Sequence, residues 1–499
     1  MKLIKALLLS SFALNLGLLL GRLSGFVREA FLASAYGATA EADVIIQMLT
    51  IPDLLVSVLM GGAMGAMLVP EFAQNPKKAL QLLYQSCLFF GLIFFFVAAG
   101  LYWHSDILVR VIAPGFTGDR MEKAALGLGW VVWLIPLTVL SGVVTAFLHA
   151  KNKFGVAALG TLIINSAIIL GLLLVSSGYG TLYLIAILVL IGGLLRLLSQ
   201  VLLVRPRWNP VQSLREWRLR KPLLIRYGQA MLSGSALLLF PVVARALASY
   251  EDEGSVAIFN YASRLVEFPL TIAVTFLAVV LFPRLAQSFA NDQAYHQQLV
   301  RSGVQITLGL SVVAGTTLII LSEQYADFVY GHGKMDKASL SSVTTLLMIG
   351  LLTLPLQGMT SFLTAVFNAR KNTKTPLLLN ATGLAFFCFT NSVDLFGEGL
   401  SALMWGIVVS YGFIFCLQIM FLRVAGFRWR DTILNASFCL GGLVAIAISA
   451  VSSLWIAGSN FPVWFSMVLA VCFAFISLAV MALFNHNVRQ MLKTKMMAQ

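Results

Sequence analysis

The sequence predicts an all-α polytopic membrane protein: about fourteen transmembrane helices, in two six-helix lobes related by a pseudo-two-fold axis, plus two additional C-terminal helices. Three observations predict it. Of 499 residues, 59% are hydrophobic and 11% charged, whereas ordinary globular domains carry about 25% charged residues; the mean hydropathy is +0.90. Apolar runs of about 20 residues, the length that crosses the hydrocarbon core, recur between polar and Gly/Pro-rich breaks. Two short stretches also recur in the same order in the two halves.

The first segment, 6–36, follows Lys2 and Lys5. Ala33-Ser34-Ala35 offers a signal-peptidase-like site, but Arg28-Glu29 interrupts any h-region, so cleavage is not expected. Segments 42–72, 80–103, 124–149, 153–176 and 181–204 complete a first lobe, 1–204. A basic cytoplasmic linker, 205–221, precedes segments 222–249, 255–289, 300–322, 339–368, 375–393 and 399–423 of a second lobe, 222–424. Segments 433–456 and 462–484 form a final pair within 425–499, ahead of a cytoplasmic tail. The first, second and eighth segments are long enough to tilt or break. Alternating β-barrel patterning is absent.

Lys and Arg set the orientation. With a cytoplasmic N-terminus, 23 of the 34 basic residues fall in cytoplasmic loops and termini, while the opposite side holds Arg110, Arg120, Lys123, Lys334 and Lys337 beside the acidic Glu251-Asp252-Glu253. Both ends are therefore expected in the cytoplasm of a bacterial inner-membrane protein. The net charge of +14 becomes a topology signal and an attraction to anionic lipid, and nucleic acid is not an expected partner. Within the linker, "RPRWNPVQSLREWRLRK" fits either a surface-lying amphipathic helix or a solvated connection. The five cysteines and five histidines lack metal-ligand spacing, which argues against a metal centre or a disulfide framework.

"TAFLHAKNK" at 145–153 resembles "TAVFNARKN" at 364–372, and "LVPEFAQ" at 68–74 resembles "LFPRLAQ" at 281–287, offsets of 219 (145 to 364) and 213 (68 to 281). With six helices between equivalent positions, the halves share one orientation, as in alternating-access transporters.

Removing loops and termini leaves six basic residues within segments: Arg22, Arg28, Arg196, Arg226, Arg245 and Arg264. Arg196, Arg226 and Arg245 lie near segment ends, where a long side chain can snorkel to the interface. Arg22, Arg28 and Arg264 lie deeper, where a charge costs about 2.5–3.5 kcal/mol and commonly marks a substrate path. Their acidic counterparts are Glu29, Asp43, Asp53 and Glu267, with Arg264 and Glu267 at i and i+3. These charges either neutralise one another in a structural network or present arginines to a phosphate, which the guanidinium recognises bidentately. Gly21 and Gly25 form a G-x-x-x-G pair suited to close helix contact or to a bend.

"GRLSGFVREAFLASAYGATAEAD" at 21–43, then "IPDLL" and "GGAMGAMLVPEFA", resemble the amino-terminal signature of the MurJ/MviN family, and "FNYASRLVEFPL" at 259–270 resembles its eighth-helix signature. The likeness extends over essentially the whole chain. It implies a flippase of the multidrug/oligosaccharidyl-lipid/polysaccharide exporter superfamily that moves lipid II, a peptidoglycan precursor. It further implies that Arg22, Arg28, Glu29, Asp43 and Arg264 match cavity positions, with Arg28, Glu29 and Arg264 at the substrate's pyrophosphate and adjoining sugar; Arg22 is taken with them as substrate-binding, and Asp43 with the intramembrane acids Asp53 and Glu267 as gate or cavity residues. The last two helices would hold the polyprenyl tail. Where the family commonly reads P-N-L-L-R-R and then A-E-G-A-F, this chain has Pro52-Asp53-Leu54-Leu55-Val56-Ser57 and then Met60-Gly61-Gly62-Ala63-Met64. Losing two cations alters glycan recognition.

The leading expectation is thus a flippase for a polyprenyl-pyrophosphate-linked saccharide, most simply lipid II. The alternatives are a flippase for an undecaprenyl-linked exopolysaccharide repeat unit and a drug/cation antiporter of the same superfamily. A membrane glycosyl or phosphoryl transferase would want paired carboxylates with basic or His partners, which the Glu251-Asp252-Glu253 cluster lacks. The chain has no G-x-x-x-x-G-K-[ST] loop, so the expected driving force is the membrane potential or an ion gradient. No cofactor is expected beyond a coupling ion of unassigned identity. Expected partners are the lipid-linked glycan, membrane lipid, and proteins of cell-wall or polysaccharide synthesis.

Overall fold

The computed structural model describes residues 2–58, 64–74, 78–151, 153, 155, 159–204, 221–271, 276–370, 372–424, 429–433 and 435–484. Most of the basic linker (205–220), the tail 485–499, Met60 to Ala63 and the side chains of Val56, Ser57 and Arg226 lie outside the described residues. Helix dominates what is described; the only β feature there is an isolated bridge between Leu395 and Gly397.

The helices are α1 (Lys2–Tyr36), α2 (Ala40–Val58), α3 (Met64–Gln74), α4 (Ala79–Trp103), α5 (Ser105–Ile112), α6 (Gly118–Val131), α7 (Leu134–Ala150), α8 (Gly160–Ser176), α9 (Leu182–Val204) and α10 (Lys221–Ala248). There follow α11 (Ser255–Leu270), α12 (Phe276–Asn291), α13 (Gln293–Ile320), α14 (Ser322–Tyr330), α15 (Lys337–Leu351), α16 (Thr353–Ala369), α17 (Lys374–Ser392), α18 (Leu400–Val424), α19 (Arg430–Ile433), α20 (Ala436–Ala457) and α21 (Val463–Phe484). Among the described residues, each segment read from the sequence overlaps one of these helices or two in succession. By length and composition, α4, the α6–α7 run, α9, α13, α18, α20 and α21 can each cross a membrane, and the bent pair α15–α16 makes an eighth.

Helix ends follow local chemistry. Gly37, at φ 63°, ends α1 in the left-handed conformation that glycine tolerates, and its N–H donates to the Ala33 carbonyl at 2.8 Å. Asp292, Asp336 and Asn435 cap α13, α15 and α20 with side-chain oxygens. Two interruptions have a proline cause that segment-level reading passed over. Pro136 has no N–H for the Val132 carbonyl, and α6 gives way to α7 there; Pro355 has none for Leu351, where α15 and α16 bend by 47°. Pro136 and Pro355 are 219 residues apart, the same offset as the longer repeated stretch.

The chain forms two compact units, Met1–Ala257 and Ile258–Gln499. In the first, α1 packs along α8, α8 along α9, and α7 receives α3, α4 and α9; α10 lies against α2 and α3. In the second, α13 packs on α16, α20 and α21, α12 packs on α13 and α16, and α17 packs on α18. The repeated stretches meet each other in the same way inside each unit. Leu68 and Phe72 of α3 join Val143 and Phe147 of α7 in one buried cluster, with the Phe72 and Phe147 rings edge-on at 5.4 Å. Leu281 and Leu285 of α12 join Phe362 and Val366 of α16 in the other. These interiors bury apolar side chains against each other, while Leu443, Val451, Phe475 and Leu483 of the C-terminal pair face outward, as lipid-facing positions do.

Candidate functional site

In the first unit, α1 runs uninterrupted through Gly21 and Gly25, so the glycines serve close approach to α8 and do not break the helix. A Cβ on Gly21 would lie 3.1 Å from Thr161 Cβ, and one on Gly25 would lie 3.5 Å from Asn165 Nδ2. That proximity lets Asn165 reach α1: its Nδ2 donates to Ser24 Oγ at 2.9 Å and to the Gly21 carbonyl at 3.3 Å. Ser24 Oγ in turn donates to the Gly21 carbonyl at 2.8 Å.

One turn on, Arg28 is 6% exposed. Its Nη1 donates to Asp53 Oδ1 at 3.2 Å and to Asn165 Oδ1 at 3.3 Å. Its Nη2 donates to Asp53 Oδ2 at 2.9 Å and to Glu29 Oε1 at 2.7 Å. The fork of the guanidinium thus meets the carboxylate of α2 bidentately, the strongest geometry available to this pair. One cation facing two carboxylates avoids the large cost of burying an uncompensated charge. Asn165 was missed by a reading that considered only ionisable groups; its signal was an amide in the apolar run "LIINSAIIL". Arg22, on a different face of α1, is exposed.

Asp43 lies elsewhere, near the start of α2, and is fully buried. Its Oδ2 accepts from the Gly254 N–H and its Oδ1 from the Ala257 N–H, each at 2.8 Å, and Arg120 Nη1 lies 3.8 Å from Oδ2. Gly254, immediately before α11, has no side chain to cap that helix, so Asp43 supplies the acceptor from α2. A Cβ on Gly254 would collide with the Ala38 carbonyl, and its φ of +86° suits only glycine. The turn after α1 and the 249–257 loop are therefore held backbone to backbone. Arg120 is a second residue the sequence reading passed over, assigned there only to an outer loop; it also sits 5.1 Å from the Phe116 ring and 3.8 Å from Glu253 Oε1.

In the second unit, Arg264 Nη1 donates to Glu267 Oε2 at 3.0 Å, with the side chains 28% and 33% exposed. This is the i, i+3 pair read from the spacing. Arg196 is 2% exposed and packs over Gly160 at the start of α8, so it is enclosed and does not snorkel. Arg245 is also buried, and its carbonyl accepts from Gln47 Nε2 at 3.3 Å. Among the described residues, no group of three or more His, Cys, Asp or Glu side chains could hold a metal ion. What the described residues bring together is arginine with carboxylate: Arg28 with Asp53 and Glu29, and Arg264 with Glu267.

The family model described as "Lipid II flippase MurJ" matches residues 32–475. The probable lipid II flippase MurJ of Buchnera aphidicola subsp. Acyrthosiphon pisum is 28% identical over 344 residues, 64% of this chain and 65% of that protein, just under two thirds of its length. The probable lipid II flippase MurJ of Aquifex aeolicus is 25% identical over 477 residues, 91% of this chain and 92% of that protein. A solved structure described as lipid II flippase MurJ in an inward closed conformation superposes with a TM-score of 0.78 at 19% identity, covering 96% of this chain and 98% of that one. At that identity the likeness concerns the fold.

Proposed function

The chain belongs to the lipid II flippase MurJ family, and on that premise we propose that it carries lipid II, a polyprenyl-pyrophosphate-linked saccharide, from the cytoplasmic to the periplasmic leaflet by alternating access. The observation that carries this reading is Arg28: a guanidinium buried in an apolar helix, bound through its fork to a carboxylate and so shaped for the oxyanions of a pyrophosphate. Arg22, Arg28 and Glu29 in the first unit and Arg264 in the second are proposed substrate contacts. Asp43, Asp53 and Glu267 are proposed gate or cavity residues. The chain is a transporter and not a catalyst in this reading, driven by the membrane potential or an ion gradient.

The proposal includes fourteen crossings, both termini in the cytoplasm of a bacterial inner membrane, and lobes of 1–204 and 222–424 joined by the basic linker, with 425–499 appended. Proteins of cell-wall synthesis are its proposed partners. The test is rescue of growth in a bacterium depleted of its own lipid II flippase. Wild-type chain is expected to rescue, and Arg28→Ala to fail while inserting at normal level. Rescue by Arg28→Ala equal to wild type would remove Arg28 from the mechanism; failure of the wild type at normal expression and insertion would remove lipid II as the substrate.

A further inference from the structure

The three groups around the Arg28 guanidinium are not equivalent. Glu29 is the next residue on the same helix, and its side chain is 5% exposed. Asn165 comes from α8, is 4% exposed and is tied on its other side to Ser24 and Gly21. Asp53 comes from α2, occupies both terminal nitrogens of the fork, and has a side chain 35% exposed. The enclosed partners are fixtures of the α1–α8 contact, whereas the fork is reached from outside on the side that Asp53 covers.

Carboxylate and phosphate meet a guanidinium in the same bidentate geometry. An incoming oxyanion that uses this fork must therefore take the place of the Asp53 carboxylate. The exchange suits a carrier. Between loads, Asp53 fills the fork, occupying both terminal nitrogens beside the enclosed Glu29; with a load bound, the displaced carboxylate is a nearby like charge that weakens the hold and favours release.

We propose that Asp53 is an internal stand-in for the substrate's phosphate, competing with it for Arg28 and thereby setting how tightly the anionic headgroup is held. This inference rests on the reading that Arg28 receives a pyrophosphate. Asp53 is then a positioning and affinity-setting residue whose neutral isostere binds the substrate better and releases it more slowly.

The test measures binding of farnesyl pyrophosphate to the full-length protein in nanodiscs at fixed pH and salt, for wild type, Asp53→Asn, Asp53→Ala, Arg28→Ala and the Arg28→Ala/Asp53→Asn double variant, with a melting curve for each. Asp53→Asn is expected to tighten binding about tenfold, since a charged hydrogen bond is roughly twice as strong as a neutral one. The off-rate should slow correspondingly, Asp53→Ala should shift in the same direction, and the gain should vanish in the double variant. If folded Asp53 variants bind no more tightly than wild type while Arg28→Ala loses binding, Asp53 merely orients the guanidinium; the competition idea is then wrong and the pyrophosphate reading stands. If Arg28→Ala binds as well as wild type, or if neither wild type nor Asp53→Asn binds, the pyrophosphate reading itself fails and takes this inference with it.

Discussion

Replacing Asp43 with alanine removes the only side chain among the described residues shown accepting from the Gly254 and Ala257 amides, both held at 2.8 Å in a fully buried setting. Hydrogen bonds to charged groups contribute about 1.5–3 kcal/mol each. Two at the lower bound make the local loss about 3 kcal/mol, which is on the order of a hundredfold in the opening equilibrium. Alanine also leaves Arg120 with Glu253 as its remaining described acid, and that side chain is 68% exposed. Asp43→Asn keeps one acceptor oxygen and turns an NH2 toward the second amide, so roughly half of the loss is expected. The assay is hydrogen–deuterium exchange of the protein in nanodiscs, resolved over residues 249–258. Faster exchange at Gly254 and Ala257, in the order Ala, Asn, wild type, is expected. Unchanged protection at these two amides in a folded Asp43→Ala variant would refute the helix-capping argument, because no other described acceptor takes those N–H groups.

Gly21→Val should destabilise the first unit by about 1–3 kcal/mol through overpacking, because even a Cβ there lies 3.1 Å from Thr161. Gly25→Ala, with 3.5 Å of room, should stay close to wild type; thermal unfolding in one detergent ranks the two. Asp336 caps α15 by accepting from the Ala338 and Ser339 amides, and hydrogen bonding from Ser339 holds its carboxyl below the usual range. A depressed folded pKa means that the cap's contribution, about 1 kcal/mol, is complete above the ordinary carboxylate pKa and is lost as pH falls through the lowered one. The melting difference between wild type and Asp336→Ala should therefore close as the solution is acidified, and a pH-independent difference would count against the cap.

Some of the site was legible because its geometry is local. Arg264 and Glu267 pair as their i, i+3 spacing requires, and Gly21 with Gly25 marks a close helix contact. Asp53 and Asp43 were legible as acids inside apolar segments but not as what they touch. The Arg28–Asp53 fork spans 25 residues, and the Asp43–Gly254 bond spans 211. Asn165 and Arg120 were passed over for opposite reasons. The first carries no charge, and the second sits in a stretch read only for topology.

The helical class and the apolar runs are legible in the sequence alone, as are the two repeated stretches. In hydrocarbon each spanning segment must satisfy its own backbone hydrogen bonds, so composition and length within a segment suffice to reveal it. The proline interruptions were also written in it, at Pro136 and Pro355, and became visible once helix geometry showed which carbonyls lose their i+4 donor to them. Which carboxylate fills the Arg28 fork, and which caps α11, was decided only by tertiary packing. Bringing α1 against α8 and α2 depends on side-chain shape over helices far apart in the chain, and a charge finds its partner only after those contacts have set its distance.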